Sequence, residues 1–479
     1  MGSTVRRLTR NTAFSLLSSA TRLSANAVLF ILVARFYGPE GFGQFTTAHT
    51  LSTIFILIAD FGFDMLLTTE LSQRLDKASF LVPRMIAIKL VLALGASLLM
   101  CTYGILMHLS PATRDLTLIL SLYLFFSALL NFMFALFKAH EEMHHESVIT
   151  LIVNLFLLAV LAMLGVAGAS LAMVAGAFVL SRVLGLVFAI RKGRKFTRVL
   201  LPIVDLPWIR SIIKQVSVFG IFFVFGNMFF TLDTILLSIW RGDYDVGVYQ
   251  AVFRIVAVTL ILPEIAVTAI LPSLSRFYGD EKEKWRQIGS TATKTLFFAG
   301  ILLGLVLTTA ALPIVTLIYG SRGFGQSVHL MKIFGGVVFV RYTVEVFALM
   351  LTTSRRQHVR MVLVVGATIL NLALNSYAIP RYGVDGAATV SLVTNVAVGI
   401  AYILAASTEF RISWFSRQLL LPFFVILAGG ATVVALPSVT VWTVLGPVAV
   451  VYLFTVYYFG YSDHEKGVIV RSVLGGGTP

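Results

Sequence analysis

The chain has 479 residues, 58% of them hydrophobic and only 12% charged, with a formal net charge of +15. Soluble domains run near a quarter charged, so this composition excludes a soluble fold and points to a membrane protein crossed repeatedly by helices. In that setting the basic excess implies loops facing anionic lipid head groups and no nucleic-acid partner, and the single cysteine, Cys101, excludes a disulfide framework or a cysteine metal site.

About fourteen apolar stretches reach or approach the roughly 20 residues that cross a bilayer: 12–34, 44–67, 85–107, 115–137, 147–165, 168–190, 215–240, 248–271, 291–319, 328–352, 360–379, 385–407, 418–437 and 440–460. The first is too long and too polar for the core of a signal peptide, and no small-residue cleavage site follows it, so it is expected to remain as a helix. It carries Thr12, Ser15, Ser19, Arg22 and Asn26 at steps of three and four residues. Arg22 lies about 15 Å from either end of that helix, too far to snorkel. An arginine at that depth costs several kcal/mol unless it meets water or a partner. A helix lining a hydrated cavity is the expectation.

Basic residues set the orientation. With the amino terminus inside, the inner segments hold Arg6, Arg7 and Arg10, then Arg74, Lys77 and Arg84, then the rich 190–214 loop with Arg191, Lys192, Arg194 and Lys195. Arg276, Lys282, Arg355, Arg356, Arg411 and Arg417 continue the pattern, while the outer loops offer only Arg35, Arg114, Arg241, Arg322 and Arg381. This bias predicts both termini in the cytoplasm. An internal repeat runs through the same segments. Glu40–Phe45 answers Tyr244–Tyr249, and equal steps from Gly43 and Gly247 reach Asp60 and Glu264. Phe134-Ala135-Leu136 answers Phe347-Ala348-Leu349, and Gly165–Ala169 answers Gly383–Ala387. Six spans per copy keep the two copies in the same orientation, a parallel repeat about an axis along the membrane normal.

The expected fold is therefore an all-α integral membrane protein of about 14 transmembrane helices. It has two six-helix lobes related by a parallel pseudo-two-fold repeat, plus two C-terminal helices. The domain boundaries read as a lobe at 1–190, a basic cytoplasmic linker at 191–214, a second lobe at 215–407, and two further helices with a cytoplasmic tail at 408–479.

Charged and polar residues inside the spans are the candidate functional groups. Arg22, Asn26, Asn227, Arg254 and Arg341 are candidates for substrate binding, because guanidinium stays charged and grips phosphate oxygens two at a time. Asp60, Asp233, Glu264 and Glu345 are candidates for ion coupling; Asp64 near Asp60 reads as a snorkelling or structural group. Arg341 and Glu345, four residues apart, can pair on one face. Pro263 should kink its helix beside Glu264. His140-Glu141-Glu142-Met143-His144 matches the H-E-x-x-H pattern of zinc peptidases, with Asp385-Gly386 as a distant third ligand. The charge bias puts those ligands on opposite sides of the membrane, so the protease reading is disfavoured and no metal or cofactor is expected. No phosphate-binding G-x-x-x-x-G-K-[S/T] loop is present, so any active transport should be ion-driven.

Asn11 with the polar first helix, Ala34–Phe45 and Ala59–Phe63 together resemble the opening of bacterial polysaccharide (O-antigen type) flippases. These belong to the multidrug/oligosaccharidyl-lipid/polysaccharide exporter superfamily. Asp245-Val246-Gly247-Val248-Tyr249 is similar to that family's turn before helix 8. The resemblance implies a membrane-embedded exporter of the bacterial cytoplasmic membrane and not an enzyme. A cationic cavity would take the pyrophosphate and sugars of a polyprenyl-linked oligosaccharide while the lipid tail stays in the bilayer, and alternating access would carry the head group outward. By location, Arg22 and Arg254 match the basic residues of such cavities. Left open are H+ or Na+ as the driving ion, a polysaccharide polymerase as partner, and the alternative of a drug or small-molecule antiporter of the same superfamily.

Overall fold

The structure is a computed structural model that describes residues 2–196, 201–212, 220, 231–320, 323–412, 417–435, 441–462 and 465, and among these it is helical with no strand. The helices are α1 (Gly2–Asp60), α2 (Phe63–Gln73), α3 (Ala78–Leu106), α4 (Pro111–Ala139), α5 (Met143–Val166), α6 (Leu171–Gly193), α7 (Leu232–Trp240) and α8 (Asp243–Thr259). They continue as α9 (Ile261–Asp280), α10 (Lys282–Thr309), α11 (Ala311–Tyr319), α12 (Gly325–Thr353), α13 (Gln357–Ala406), α14 (Arg417–Ala435) and α15 (Val441–Thr455). Among the described residues, ten helical stretches are long and apolar enough to cross a membrane.

Two of those stretches hold two expected spans each. α1 is broken at Gly38, whose φ of 68° is left-handed, and α13 at Gly383 with φ 58°. Glycine takes that conformation without a Cβ clash, and Pro39 then restarts the helix where its missing N–H has no partner to lose. With these divisions the observed helices are compatible with fourteen spans, the expected 215–240 helix lying mostly outside the described residues.

Three expected spans are interrupted. The second breaks at Phe61 and Gly62, both at positive φ, so α2 is a separate helix. The eighth breaks at Leu260, with Pro263 in the first turn of α9, where the kink beside Glu264 was expected. The ninth breaks at Ala310, and Pro313 stands in the first turn of α11. Proline at the start of a helix loses no intrahelical hydrogen bond, so apolar periodicity runs on across a point where the backbone restarts.

The repeat reappears in the backbone. Gly38 (φ 68°) and Gly242 (φ 90°) each precede a helix by one residue, at equivalent positions of the two copies. Glu141 (φ 56°) and Arg355 (φ 60°) turn the chain between corresponding helices. The copies also touch reciprocally. A Cβ on Gly43 would lie 1.7 Å from the Asp243 carbonyl oxygen, and one on Gly247 would lie 1.8 Å from that of Pro39. Each glycine thus faces the carbonyl one turn upstream of the other, the self-complementary arrangement a two-fold axis produces.

The described chain forms two compact units, Met1–Arg254 with Asn375–Val384, and Ile255–Leu374 with Asp385–Pro479. The first takes α7, α8 and a short piece of α13 from the second sequence copy. Its core gathers Leu67, Val82, Leu130, Leu136, Phe137 and Val153. Turns anchor it: Phe36 lies against Gly165, the Tyr37 hydroxyl donates to Ala169 O at 2.8 Å, and the Arg241 guanidinium lies against Gly383. The second unit packs Phe298, Ile301, Ile426 and Tyr452 together, with Tyr452 donating to Phe298 O at 2.9 Å. Gly304 of α10 and Gly335 of α12 allow backbone-close packing there.

Part of the basic linker is tied down within the first unit. Arg84 Nε donates to Asp205 Oδ2 at 2.9 Å while its guanidinium lies over Phe80, and Ile203 N donates to Pro83 O at 3.1 Å. Asp205 Oδ1 also accepts from Trp208 N. The Arg84 hydrogen bond, followed by that of Trp208, holds the Asp205 carboxyl below the ordinary aspartate range. Stabilisation of that sign is complete above the ordinary range and is lost as pH falls through the lowered value.

Two outcomes follow. Gly43→Ala and Gly247→Ala should each lower stability by at least about 1–3 kcal/mol, the cost of overpacking, seen as a lower Tm in detergent. Gly95→Ala, which would meet nothing within 4 Å, should leave Tm unchanged. Separately, hydrogen–deuterium exchange at Ile203 and Trp208, corrected for intrinsic rate, should lose protection on acidification, and Asp205→Asn should reproduce that loss at neutral pH.

Candidate functional site

Inside the first unit, two guanidinium groups are held against aromatic rings. Arg254, near the end of α8, places Cζ 3.6 Å from the ring centre of Phe30 on α1. Arg182 on α6 donates through Nη2 to the Tyr123 hydroxyl of α4 at 3.1 Å. Its Nε is buried and has no hydrogen-bond partner among the described residues. Both arginines act electrostatically on His49, whose ring is boxed by Phe30 (5.0 Å), Tyr123 (5.5 Å), Phe178 (5.9 Å) and Phe45 (6.1 Å). A guanidinium on an aromatic face keeps its planar donors in a fixed orientation, at a gain of about 0.5–2 kcal/mol. Both arginines remain partly exposed, so such a pair can offer N–H donors to an anion. Asn26, half-buried, lies one turn before Phe30 on α1.

A second polar centre of this unit is built on Asp233, which is 6% exposed. Its Oδ2 accepts from the Tyr249 hydroxyl at 2.6 Å and its Oδ1 from Asn375 Nδ2 at 2.7 Å. Gln250 Nε2 donates to Thr234 Oγ1 beside it. Three helices, α7, α8 and α13, supply these groups. A third centre joins Asp60, Asp64 and Lys89. Lys89 Nζ on α3 reaches Asp60 Oδ1 at 3.0 Å and Asp64 Oδ1 at 2.8 Å.

In the second unit Arg341, Glu345 and Arg360 act electrostatically on Tyr402, and Arg360 Nη1 donates to Thr352 Oγ1 at 3.0 Å. Glu264 stands in the first turn of α9 with its side chain exposed. The side chain of Arg22 and the whole of Asn227 lie outside the described residues. Of the candidates, Asn26, Asp60, Asp233 and Arg254 belong to the first unit, and Glu264, Arg341 and Glu345 to the second.

The peptidase-like motif is broken. α4 ends at Ala139, Glu141 is left-handed and α5 begins at Met143, so His140 lies in the turn between the helices and His144 on α5. His140 Nδ1 is bonded to Leu136 O at 2.9 Å and His144 pairs with Glu142 at 3.0 Å. Ligand atoms of Glu142, His144 and His145 lie within 4.8 Å of one another, but the helical face that a peptidase zinc requires is not there.

The model for the family described as polysaccharide biosynthesis protein matches residues 8–278. The chain belongs to that family. A second family model, MatE, matches residues 220–377, and no curated protein matches in sequence. Among solved structures, the chain is similar to the lipid II flippase MurJ in an inward closed conformation, with TM-score 0.72 and 14% identity over 97% of this chain and all of that one. An inward-facing multidrug resistance MATE family transporter of the MOP superfamily gives TM-score 0.65 and 14% identity over 81% of this chain and 94% of that one. A MOP superfamily transporter from Pyrococcus furiosus, described with a binding pocket of reverse polarity, gives 0.58 and 14% over 85% and 96%. At this identity the likeness is one of fold alone, that of a multi-pass membrane protein.

Lys89, Arg182 and His49 are among the residues of these centres that the sequence reading did not single out. Lys89 and Arg182 carried the same signal as Arg22, a cation inside an apolar span. His49 carried little, since a neutral histidine fits any polar face. For Asp233, truncation is the decisive test. Asp233→Ala leaves two buried donors, Tyr249 Oη and Asn375 Nδ2, without their acceptor, at about 1–3 kcal/mol each. Its Tm in detergent should fall well below wild type, with Tyr249→Phe losing less.

Proposed function

We propose that this protein flips polyprenyl-diphosphate-linked oligosaccharide repeat units across the bacterial cytoplasmic membrane by alternating access, with both termini cytoplasmic. The observation that carries the reading is the Arg182–Arg254 pair, two partly exposed guanidinium groups braced on Tyr123 and Phe30 among membrane-crossing helices. Pyrophosphate is the membrane-bound anion that two guanidinium forks suit, because each can donate two parallel N–H bonds to phosphate oxygens. Membership of a polysaccharide biosynthesis family agrees with a glycan cargo. A cationic drug would meet repulsion at the same place, which disfavours the antiporter alternative.

In this reading Arg22, Asn26 and Asn227 extend the anion site, and Arg341 with Arg360 offers a second one. The lobes at 1–190 and 215–407 rock about the linker at 191–214, and residues 408–479 add the trailing helices. H+ or Na+ drives the cycle through Asp60, Asp233, Glu264 or Glu345, of which Asp233 is held by donors from two other helices. A polysaccharide polymerase receives the flipped unit.

The test is surface glycan in a deletion strain complemented with variants of verified membrane level. Arg254→Ala and Arg22→Ala should each reduce export about 10-fold or more, the loss of charge-assisted hydrogen bonds of about 1.5–3 kcal/mol, and lipid-linked glycan should accumulate on the inner leaflet. Arg254→Lys should retain part of the activity. Normal surface glycan in both alanine variants would overturn the assignment, and drug sensitivity of the deletion strain with intact glycan would favour the antiporter.

A further inference from the structure

The charge balance around Lys89 does not close. α1 ends at Asp60, Phe61 and Gly62 turn the chain at φ 43° and 84°, and α2 begins at Phe63 with Asp64 in its first turn. Asp60 Oδ1 accepts from Asp64 N at 3.1 Å, so this carboxylate caps α2. Lys89, only 1% exposed, reaches across from α3 to both aspartates, which are 15% and 18% exposed. Thr68 of α2 bonds the Ala135 carbonyl of α4, and Lys89 and Asp60 are the charged groups that act on Asp64 among the described residues. Two carboxylates therefore share one ammonium.

A net negative charge at a site this dry is costly unless neutralised. A second, separate observation concerns the lysine itself. The ammonium has three N–H donors, yet two acceptors serve it among the described residues, so one donor of a fully enclosed cation remains open for a water that can pass a proton in or out. A sodium ion at the carboxylates would stand within a few Å of the ammonium and be repelled by it, whereas a proton sits on a carboxyl oxygen and closes the balance. We propose that Asp60, Asp64 and Lys89 form a proton-binding centre that carries one exchangeable proton shared by the two carboxyl groups.

The centre belongs to the first sequence copy. Its counterpart in the second, Glu264, also stands beside a helix break, but it is exposed and has no ion-pair partner among the described residues. Whether the proton drives glycan movement rests on the function proposed above; its presence does not.

Infrared difference spectra of the full-length protein in phospholipid vesicles, titrated with pH, test the assignment without any cargo. Wild type should show the C=O stretch of one buried protonated carboxyl group, shifting in D2O and vanishing as pH rises. Asp64→Asn and Asp60→Asn should each abolish it, because Lys89 then neutralises the one remaining carboxylate. Lys89→Met, if it folds, should about double the band, since two carboxyl groups then lack a cation. Absence of the band in wild type, its persistence in both aspartate variants, or its loss on adding Na+ at fixed pH would each overturn the proposal. Failure of glycan export in the arginine variants, with the band intact, would count against the cargo alone.

Discussion

The two sequence copies approach closely at Gly43 and Gly247, each facing the carbonyl oxygen one turn upstream of the other. No other residue fits, because any Cβ would fall inside a carbonyl's van der Waals radius. That contact lets the second half of α1 and α8 pack backbone to backbone, and much of the first unit follows from it. Arg254 lies two turns beyond Gly247 on α8 and so comes down on Phe30. Tyr249, two residues beyond Gly247, reaches Asp233. A pair of glycines without chemistry of their own thus sets the position of the groups that have it.

Charge inside an apolar medium is the second constraint, and the chain meets it in different ways. Arg254 rests on a phenyl face and Arg182 on a tyrosine, both keeping donors partly exposed. Lys89 is enclosed and fully engaged by carboxylates on one side. Asp233 is surrounded by hydroxyl and amide donors. The first arrangement leaves capacity for an outside ligand, the second fixes a helix break, and the third gives a buried carboxylate hydroxyl and amide donors. Compact geometry makes these distinctions; residue type does not.

Much of the fold was legible because membrane insertion is written in long apolar runs, and duplication in spaced glycines. Gly38, Gly43, Gly242, Gly247 and Gly383 all stand where the repeat put them. The breaks at Phe61, Leu260 and Ala310 were less legible, since apolar periodicity continues through them, and only Pro263 beside Leu260 gave notice. The site was legible by residue and not by grouping. Arg254 and Asp233 were visible as charges in apolar spans, but nothing in a one-dimensional string pairs Arg254 with Phe30 or Asp233 with Asn375, which are brought together by packing across distant helices.

The division into compact units follows from the same packing. The copies meet at Gly43 and Gly247, Asn375 binds Asp233, and Gly383 lies against Arg241, so α7, α8 and residues 375–384 are drawn out of their own copy into the first unit. A duplicated chain can separate its copies or let them share elements. Sharing ties Asp233, Tyr249 and Asn375 into one buried hydrogen-bonded set, so a change in the charge of Asp233 must be felt at once by α7, α8 and α13. A carboxylate on which three helices depend ties their positions to one another.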